Sequence, residues 1–271
     1  MKEKRIIKNG KVENQKVVYY EDELKDEFSE AKIEPIKIDE EYKYFHKSPI
    51  WRSCAYWIQH IITVPFKFIY TKLKFKIKFI GKEKLKQCKN TGYFVYANHT
   101  QPFADTFIPS NIVYPKRNFF IVNPENVSMR GLKTLVPMLG AIPIPSTKEA
   151  MKNFLDIIEY RINKKSTITI YPEAHIWPYY TGIRPFKSVS FKYPVKLEKP
   201  TFCITNTYQV CGKKKNKFRM VSYIDGPFYP DKLNTVKEKQ ENLRNKVYAC
   251  MKERAKNSNV EFIKYCAKNV E

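Results

Sequence analysis

The stretch Tyr93-Phe-Val-Tyr-Ala-Asn-His-Thr-Gln-Pro-Phe-Ala-Asp105 places a histidine and an acid directly after a run of apolar residues. The run at 93–97 is continuous, as expected for a strand that is buried on both faces of a sheet. His99 is one of four histidines, and a neutral imidazole can take a proton from a hydroxyl near neutral pH. A carboxylate such as that of Asp105 can hold the ring in the required tautomer. The stretch therefore predicts a strand end that carries a chemical site.

Similar apolar runs recur along the chain and alternate with helical patterns. Further strands are predicted at 118–122, 167–171, 201–205 and 218–224, and the strict alternation at 74–80 predicts a half-exposed strand. Helices are predicted at 147–164, behind a capping box formed by Ser146 and Glu149, and at 235–256. This alternation indicates an α/β fold with a mostly parallel central sheet flanked by helices. In such sheets the loops at the carboxyl ends of the strands carry the chemistry.

Two N-terminal segments differ from this domain. Residues 1–48 are charged and include an acidic block at 21–27, which predicts a mobile or surface-docked arm. Residues 49–73 are rich in Trp, Tyr, Phe and Ile with flanking cations, which predicts an amphipathic helical region. This region either lies in a membrane interface or packs against the core. Residues 74–271 then form the α/β domain, with a loop tip in the lysine-rich stretch 213–217.

The charge of the chain indicates an anionic partner. Fifty basic and 27 acidic side chains give a formal net charge of +23, and nine of the basic residues are Arg, which leaves 41 Lys. Lysine suits a diffuse anionic surface, whereas base readout favours arginine. An excess of lysine can equally reflect genome composition. The expected partners are anionic membrane lipid and an acidic substrate carrier. Nucleic-acid binding is an alternative that rests on charge and aromatic content alone, and no specific nucleic acid is expected.

The cysteines and the N-terminus indicate the cellular location of the protein. The six cysteines form no CxxC pair and no metal-ligand spacing, which predicts a reducing compartment and no metal site. The N-terminus is basic but lacks the apolar core of a signal peptide, and no run reaches the ~20 apolar residues of a membrane-spanning helix. Together these features predict a peripheral protein on the cytoplasmic face of a membrane.

Four blocks occur in a fixed order along the chain. They are Asn98-His99 with Asp105, then Gly140-Ala-Ile-Pro-Ile-Pro145, then Tyr171-Pro-Glu173, and last Lys199-Pro-Thr-Phe202. In this order the blocks resemble the glycerolipid acyltransferase family, which includes the 1-acylglycerol-3-phosphate acyltransferases, and the resemblance covers residues 75–225.

The resemblance implies a transferase of phospholipid biosynthesis that moves an acyl group from acyl-CoA or acyl carrier protein to a hydroxyl of a lysophospholipid-like acceptor. His99 would be the general base and Asp105 would orient it, while backbone N–H groups near the following helix would stabilise the oxyanion. Glu173 would shape or bind the acceptor site together with Tyr171, and Asn98 would help to hold the turn. No cofactor is implied beyond the thioester co-substrate.

The chain departs from the family pattern at three places. Five residues separate His99 from Asp105 where the family has four, so the two side chains can meet only if the segment bends, and Pro102 makes a non-helical start plausible. The block after Gly140 lacks the family's Arg, and Ala-His-Ile follows Glu173 where the family commonly has Gly-Thr-Arg. Candidate replacements for these cations are Arg130, Lys133, Lys148, Arg184 and Lys187.

Two alternatives remain open at this level. His175 is either a further polar group of the acceptor site or a structural histidine packed under Trp177. The altered spacing between His99 and Asp105 also leaves room for a catalytically silent relative that only binds lipid.

Overall fold

The computed structural model of the protein describes residues 7–8, 11–28, 33–212 and 217–268. The lysine-rich stretch at 213–217 and the basic N-terminus lie almost entirely outside them. The strands within these ranges are β1 Ile7–Lys8, β2 Lys11–Val12, β3 Lys16–Tyr20, β4 Lys78–Ile80, β5 Tyr93–Ala97, β6 Asn118–Val122, β7 Ala141–Pro143, β8 Thr167–Ile170, β9 Thr201–Cys211, β10 Lys217–Phe228 and β11 Ile263–Ala267.

The α-helices within the same ranges are α1 Pro49–Trp57, α2 Thr63–Phe75, α3 Ile108–Val113, α4 Glu125–Ser128, α5 Leu135–Met138, α6 Met151–Asn163, α7 Lys192–Lys196 and α8 Val236–Ala255. A π-helix at Ile58–Ile62 joins α1 to α2. Short 3₁₀-helices lie at Lys82–Cys88, Ala104–Thr106 and Val189–Phe191.

The central sheet has seven strands in the order β4-β10-β9-β5-β8-β6-β7. Strands β5 to β9 run parallel to one another, β10 is antiparallel to β9, and β4 is parallel to β10. The prediction of a mostly parallel α/β sheet is therefore confirmed. Strand β5 lies between β8 and β9, so the residues that follow β5 reach the middle of the carboxyl edge.

Both faces of β5 are buried, which explains its unbroken apolar sequence. Phe94 and Tyr96 contribute to one hydrophobic core, which contains side chains of α6 and α8. Tyr93, Val95 and Ala97 contribute to the other, which contains side chains of α2 and α3. Successive side chains of a strand point to opposite faces, so each helical layer covers one set.

The predicted strand at 74–80 is wrong in its first half. Helix α2 continues to Phe75, whose side chain is buried in the second core, and Lys76 ends the helix in the left-handed conformation. Burial of Phe75 thus outweighs the alternating pattern, and strand pairing begins only at Lys78. Gly81 ends β4 as predicted, at φ +87°, where a Cβ atom would lie 2.3 Å from the Ile224 carbonyl oxygen.

The predicted capping box at Ser146 and Glu149 is also wrong, because α6 begins only at Met151. The Ser146 hydroxyl accepts a hydrogen bond from the Ile38 N–H at 3.1 Å, and the Ser146 N–H donates to the Ile38 carbonyl at 2.8 Å. A contact with a distant segment therefore takes up the capping residue. The helix predicted at 235–256 is confirmed by α8, and Thr235 and Glu238 form a capping box at its start.

The described part of the N-terminal segment is docked on the domain. Strand β3 pairs in parallel with β11, and Ile38 and Tyr44 are buried in the first core. For these residues the structure excludes a wholly mobile arm and shows a segment that is docked on the domain. The limits predicted for the three regions of the chain remain predictions.

The helical region predicted at 49–73 is present as α1, the π-helix and α2. Its inner face buries Ala55, Gln59, Lys67, Thr71 and Phe75 against the domain. Its outer face leaves large apolar side chains exposed, namely Ile50, Tyr56, Trp57, Ile61, Ile62, Phe66, Phe68, Ile69 and Leu73. Within the described residues, no helix combines the length and the apolar character that crossing a membrane requires.

Candidate active site

Asn98 ties the end of β5 to its neighbour β9. Its side chain donates to the Asn206 carbonyl at 3.1 Å and accepts from the Asn206 N–H at 2.8 Å. The amide thus continues the pattern of strand pairing by one residue, and the side chain is buried. Asn98 therefore holds the backbone from which His99 projects, which agrees with the predicted role in holding the turn.

His99 and Asp105 meet in spite of the lengthened spacing. Nδ1 of His99 lies 2.8 Å from Oδ2 of Asp105. The same oxygen accepts hydrogen bonds from the N–H groups of Thr100 and Gln101, each at 2.9 Å. A non-helical turn containing Pro102 makes the bend, and a 3₁₀-helix then carries Asp105. Since Thr100 and Gln101 donate to the carboxylate, these two N–H groups are already used and are poor oxyanion donors.

The environment of Asp105 balances burial against hydrogen bonding. Burial raises the pKa of Asp105, while hydrogen bonds from His99, Gln101 and Thr100 oppose the rise. The carboxyl group is 2% exposed, whereas the His99 side chain remains 24% exposed. Nδ1 of His99 is thus hydrogen-bonded to a buried carboxylate, while part of the ring is accessible to solvent.

Tyr171, directly after β8, fixes the histidine ring and the turn together. Its ring stacks on that of His99, with centroids 4.4 Å apart and an interplanar angle of 26°. Its hydroxyl donates a hydrogen bond to the Asp105 carbonyl oxygen. Burial raises the pKa of Tyr171 well above its usual value, so the hydroxyl remains a donor. The sequence predicted a substrate-binding role, and the contacts are those of a residue that positions His99.

Glu173 is buried behind His99 and binds two backbone groups. Oε2 accepts from the His99 N–H and Oε1 from the Arg184 N–H, both at 3.1 Å. The Arg184 guanidinium lies 3.7 Å from the same carboxylate. Burial raises the pKa of Glu173, and the charge of Arg184 counteracts it. Glu173 therefore shapes the site from its wall.

Arg184 lies in this wall, not at the surface that a headgroup would reach. Its side chain is fully buried, and it donates hydrogen bonds to the carbonyls of Glu23, Glu173 and His175. Its guanidinium also lies over the Trp177 ring, 4.9 Å from the centroid. Contacts with carbonyl oxygens thus hold both terminal nitrogens of Arg184 within the wall, and direct binding of the acceptor by Arg184 remains a prediction.

His175 faces the acidic block of the N-terminal segment. Its Nδ1 lies 3.4 Å from a carboxylate oxygen of Glu27, and its side chain is 29% exposed. The neighbouring Trp177 is completely buried, and its indole N–H donates a hydrogen bond to the Asp26 carbonyl oxygen at 2.8 Å. His175 is thus a partly exposed polar group on the rim beside buried Trp177, and the two interpretations of His175 both remain open.

The remaining predicted cations stand apart from this group. Arg130 and Lys187 are exposed, and within the described residues neither forms a hydrogen bond or ion pair with His99, Asp105 or Glu173. Lys133 and Lys148 are exposed as well. Direct binding of an acceptor by these residues remains a prediction.

Several residues of the site were missed by the sequence analysis. The Tyr208 hydroxyl lies 2.8 Å from Thr100 Oγ1 and accepts from Gln101 Nε2 at 2.7 Å, so β9 supports the turn from below. The backbone N–H of Trp177 donates a hydrogen bond to the His99 carbonyl oxygen at 3.2 Å. The acidic block also reaches the site, through the backbone of Glu23 and Asp26. Its one signal in the sequence was that it is acidic in a basic protein.

One cluster of possible metal ligands occurs among the described residues, away from His99. Ligand atoms of Cys203, Asp225 and Cys250 lie within 4.8 Å of one another. Both oxygens of Asp225, however, accept hydrogen bonds from Arg254, and one also accepts from Lys84 at 2.6 Å. Because two cations already neutralise this carboxylate, the cluster is a poor fit for a metal ion.

The geometry combines a partly exposed imidazole, a buried carboxylate that orients it, and a wall that fixes both. Such a pair can remove a proton from a hydroxyl and return it to a leaving group. Comparison with solved structures shows similarity to the crystal structure of the 1-acyl-sn-glycerophosphate (LPA) acyltransferase PlsC from Thermotoga maritima, at 16% identity and a TM-score of 0.48, over 76% of this chain and 95% of that chain. Among curated proteins, none matches this chain.

The family comparison covers the site and most of the sheet. Residues 76–230, more than half of the chain, match the Acyltransferase family, and this range includes β4 to β10 with His99, Asp105, Tyr171 and Glu173. The chain therefore belongs to the acyltransferase family.

Proposed function

We propose that this protein transfers a fatty acyl group from an acyl thioester to a hydroxyl of a lysophospholipid-like acceptor at a membrane surface. The observation that carries the proposal is the 2.8 Å contact between His99 Nδ1 and Asp105 Oδ2, which leaves Nε2 of the ring as the available base.

The reaction uses His99 twice. With Nδ1–H donated to Asp105, Nε2 takes the proton of the acceptor hydroxyl, and the oxygen attacks the carbonyl carbon of the thioester. A C–O bond forms and the carbonyl oxygen becomes an oxyanion. When the tetrahedral intermediate collapses, the C–S bond breaks, and the imidazolium returns its proton to the leaving thiolate. The products are an ester and the free thiol of coenzyme A or acyl carrier protein.

The wall residues contribute by restricting the ring. The Tyr171 ring stacks on the His99 ring, and Glu173 accepts a hydrogen bond from the backbone N–H of His99. The imidazole therefore has little freedom to turn away from the substrate. Fixing a catalytic group before substrate arrives lowers the entropic part of the barrier. Arg184 acts indirectly, since its charge opposes the effect of burial on Glu173.

The membrane part of the proposal rests on the outer face of α1, the π-helix and α2. Several of its apolar side chains are at least half exposed, among them Trp57, Phe66 and Leu73. A continuous apolar face of this kind, flanked by lysines, is typical of helices that lie in a membrane interface. We therefore favour the membrane-interface interpretation of this region, with the inner face serving as its attachment to the domain.

Aromatic contacts connect this face to the His99 turn. Phe103, which lies within the turn and is 53% exposed, packs on Tyr70 of α2 with ring centroids 5.4 Å apart. Phe107 contacts Phe103, Tyr70 and Phe66. An acyl chain that leaves the membrane along α2 would therefore meet apolar side chains up to a point four residues from His99.

The charge around the site bears on the acceptor. The acidic block lies against the rim at His175, and Arg184 is buried. A doubly charged phosphate monoester is therefore less favoured here than a zwitterionic headgroup, so an acceptor screen should include both lysophosphatidate and zwitterionic lysophospholipids.

The test is thioester consumption in the presence of a lysophospholipid, compared between wild type and His99→Ala. We expect the variant to lose at least about 10²-fold in kcat/KM, because general base catalysis is worth that much or more. The control is His46→Ala, which removes an imidazole that stacks on Trp51 outside the site.

Two outcomes would contradict the proposal. Near-normal turnover by His99→Ala would remove the assigned base. A wild type that binds lysolipid vesicles without consuming any thioester would support the catalytically silent alternative, and retention of nucleic acid without lipid binding would support the nucleic-acid alternative.

A further inference from the structure

A recess with several polar side chains lies at the other end of the sheet from His99. It is lined by the π-helix, α2, the end of α3 and the segment that leads into β6, and it is a narrow recess that opens to solvent. His99 follows the carboxyl end of β5, whereas this recess lies at the amino end of β6. Its polar lining includes His60, Lys67, Ser110, Tyr114, Lys116 and Arg117.

Lys67 is the unusual member of this lining. Its side chain is 6% exposed, and its ammonium group donates a hydrogen bond to the Gln59 carbonyl in the π-helix at 3.1 Å. Burial lowers the pKa of Lys67 to about 8, so the group is still largely charged at neutral pH. Within the described residues, Lys67 forms no ion pair with a carboxylate.

The neighbouring cations also contact neutral groups, which are oxygens and aromatic rings. Arg117 Nε donates to the side-chain oxygen of Gln59 at 2.8 Å. Lys116 donates to the carbonyls of Thr91 and Lys165, both at 2.8 Å. Among the described ion pairs, none includes either residue. Each cation thus has a neutral hydrogen-bond partner, while its charge has no counter-ion among the described residues.

The electrostatic consequence is visible at His60. Its pKa is lowered by burial and further by the charges of Arg117 and Lys67. Several partly buried positive charges without an anion are costly, and a bound anion would offset that cost. Lysine and arginine side chains are the usual ligands of phosphate oxygens. A π-helix, as found here, is also frequent at functional sites.

We propose that this recess binds a phosphate group, carried either by an anionic lipid headgroup or by free inorganic phosphate. The recess lies directly beneath the helical region whose apolar outer face is exposed, so a headgroup could enter at Tyr114, which is 40% exposed. The site is separate from the reaction at His99, and binding there can be measured without any turnover.

The first experiment follows the melting temperature of the full chain against inorganic phosphate, with chloride at matched ionic strength as the reference. We expect a saturable rise for wild type, since a ligand that binds only the folded state stabilises it. Lys67→Met should lose this rise. The matched control is Lys72→Met, which removes an exposed lysine from the same helix and should retain it.

The second experiment distinguishes the two sources of phosphate. Vesicles of phosphatidylcholine with and without phosphatidic acid are sedimented with each variant. If the site takes a lipid headgroup, Lys67→Met should bind the phosphatidic acid vesicles about fivefold more weakly than Lys72→Met, since both lose one charge but only the first loses the contact in the recess. If the site takes free phosphate, both variants should bind these vesicles equally.

Two results would overturn the proposal. One is a wild type that shows no saturable response to phosphate and no preference for phosphatidic acid over phosphatidylcholine. The other is a Lys67→Met variant that folds and keeps the full phosphate response. The wild-type measurement can contradict the proposal by itself, so the test does not depend on whether Lys67→Met folds.

Discussion

At the scale of single residues, the decisive contact joins His99 to Asp105. Oδ2 of Asp105 receives three hydrogen bonds, one from the His99 ring and two from backbone N–H groups. The backbone donors keep the carboxylate in place even without the imidazole. Asp105 is therefore held as an acceptor that points at Nδ1, which keeps the proton on that nitrogen and leaves Nε2 free.

The prediction at this scale concerns Asp105→Asn. The two backbone donors keep the amide oxygen at the Oδ2 position, where it still accepts from Nδ1 but carries no charge to stabilise the imidazolium, so we expect kcat/KM to fall about 10²- to 10⁴-fold with the fold retained. Steady-state kinetics with circular dichroism checks this. The control is Asp156→Asn on the exposed face of α6. Turnover within a few-fold of wild type would show that Asp105 does not orient the base.

At the scale of elements, one carboxylate holds three pieces of the fold together. Asp225 of β10 accepts hydrogen bonds from Lys84 in the 3₁₀-helix after β4 and from Arg254 of α8. Burial raises the pKa of Asp225, but the hydrogen bonds from Arg254 and Lys84 outweigh this and bring it to about 2. An acid with a depressed pKa in the folded state stabilises the fold above its unfolded pKa.

The direction of this pKa shift predicts how stability depends on pH. The stabilisation is fully present above the ordinary value of 3.8 and is lost as the pH falls toward about 2. We expect Asp225→Asn to lower the free energy of unfolding by about 2 kcal/mol at neutral pH, and the difference from wild type should shrink as the pH falls through this window. Urea titrations at several pH values measure it, with Asp231→Asn in an exposed ion pair as the control. A difference that does not change between pH 5 and pH 2 would contradict the assignment.

At the scale of the whole molecule, charge and apolar surface are unevenly distributed. The chain carries a net charge of +23, yet its acidic block docks beside the His99 site. The exposed apolar side chains of the helical region lie on another face of the same body. Residues of that region also enter the cores, as Phe75 does, so its removal would disturb folding and point variants are the better test.

The prediction for the whole molecule concerns binding to vesicles. Ile62 and Leu73 are 63% and 75% exposed. Ile62→Asp combined with Leu73→Asp should reduce partitioning onto phosphatidylcholine vesicles at least about tenfold, because each burial of such a side chain is worth more than 1 kcal/mol. The control is Val236→Asp at the start of α8, another exposed apolar position. Equal partitioning of the double variant and the control would exclude this face as the membrane contact.

Local sequence determined the elements whose signals are short in range. The apolar run of β5 and the 3.6-residue pattern of α8 predict those elements correctly, because strand pairing and helix packing reward the same residues that the pattern shows. The ordered blocks around His99 and Glu173 likewise predict a candidate site. The side chains that the blocks name do meet in space, since parallel strands end at a common edge.

Only the tertiary structure decided which of these side chains face substrate and which face the protein. Arg184 reads as a free cation in the sequence, but contacts with distant carbonyls bury it. Ser146 reads as a helix cap, but Ile38 takes its hydrogen bonds, and Phe75 is drawn into a helix by a core that the local pattern does not contain. Burial and long-range hydrogen bonds depend on residues far apart in the chain, so no short stretch of sequence encodes them.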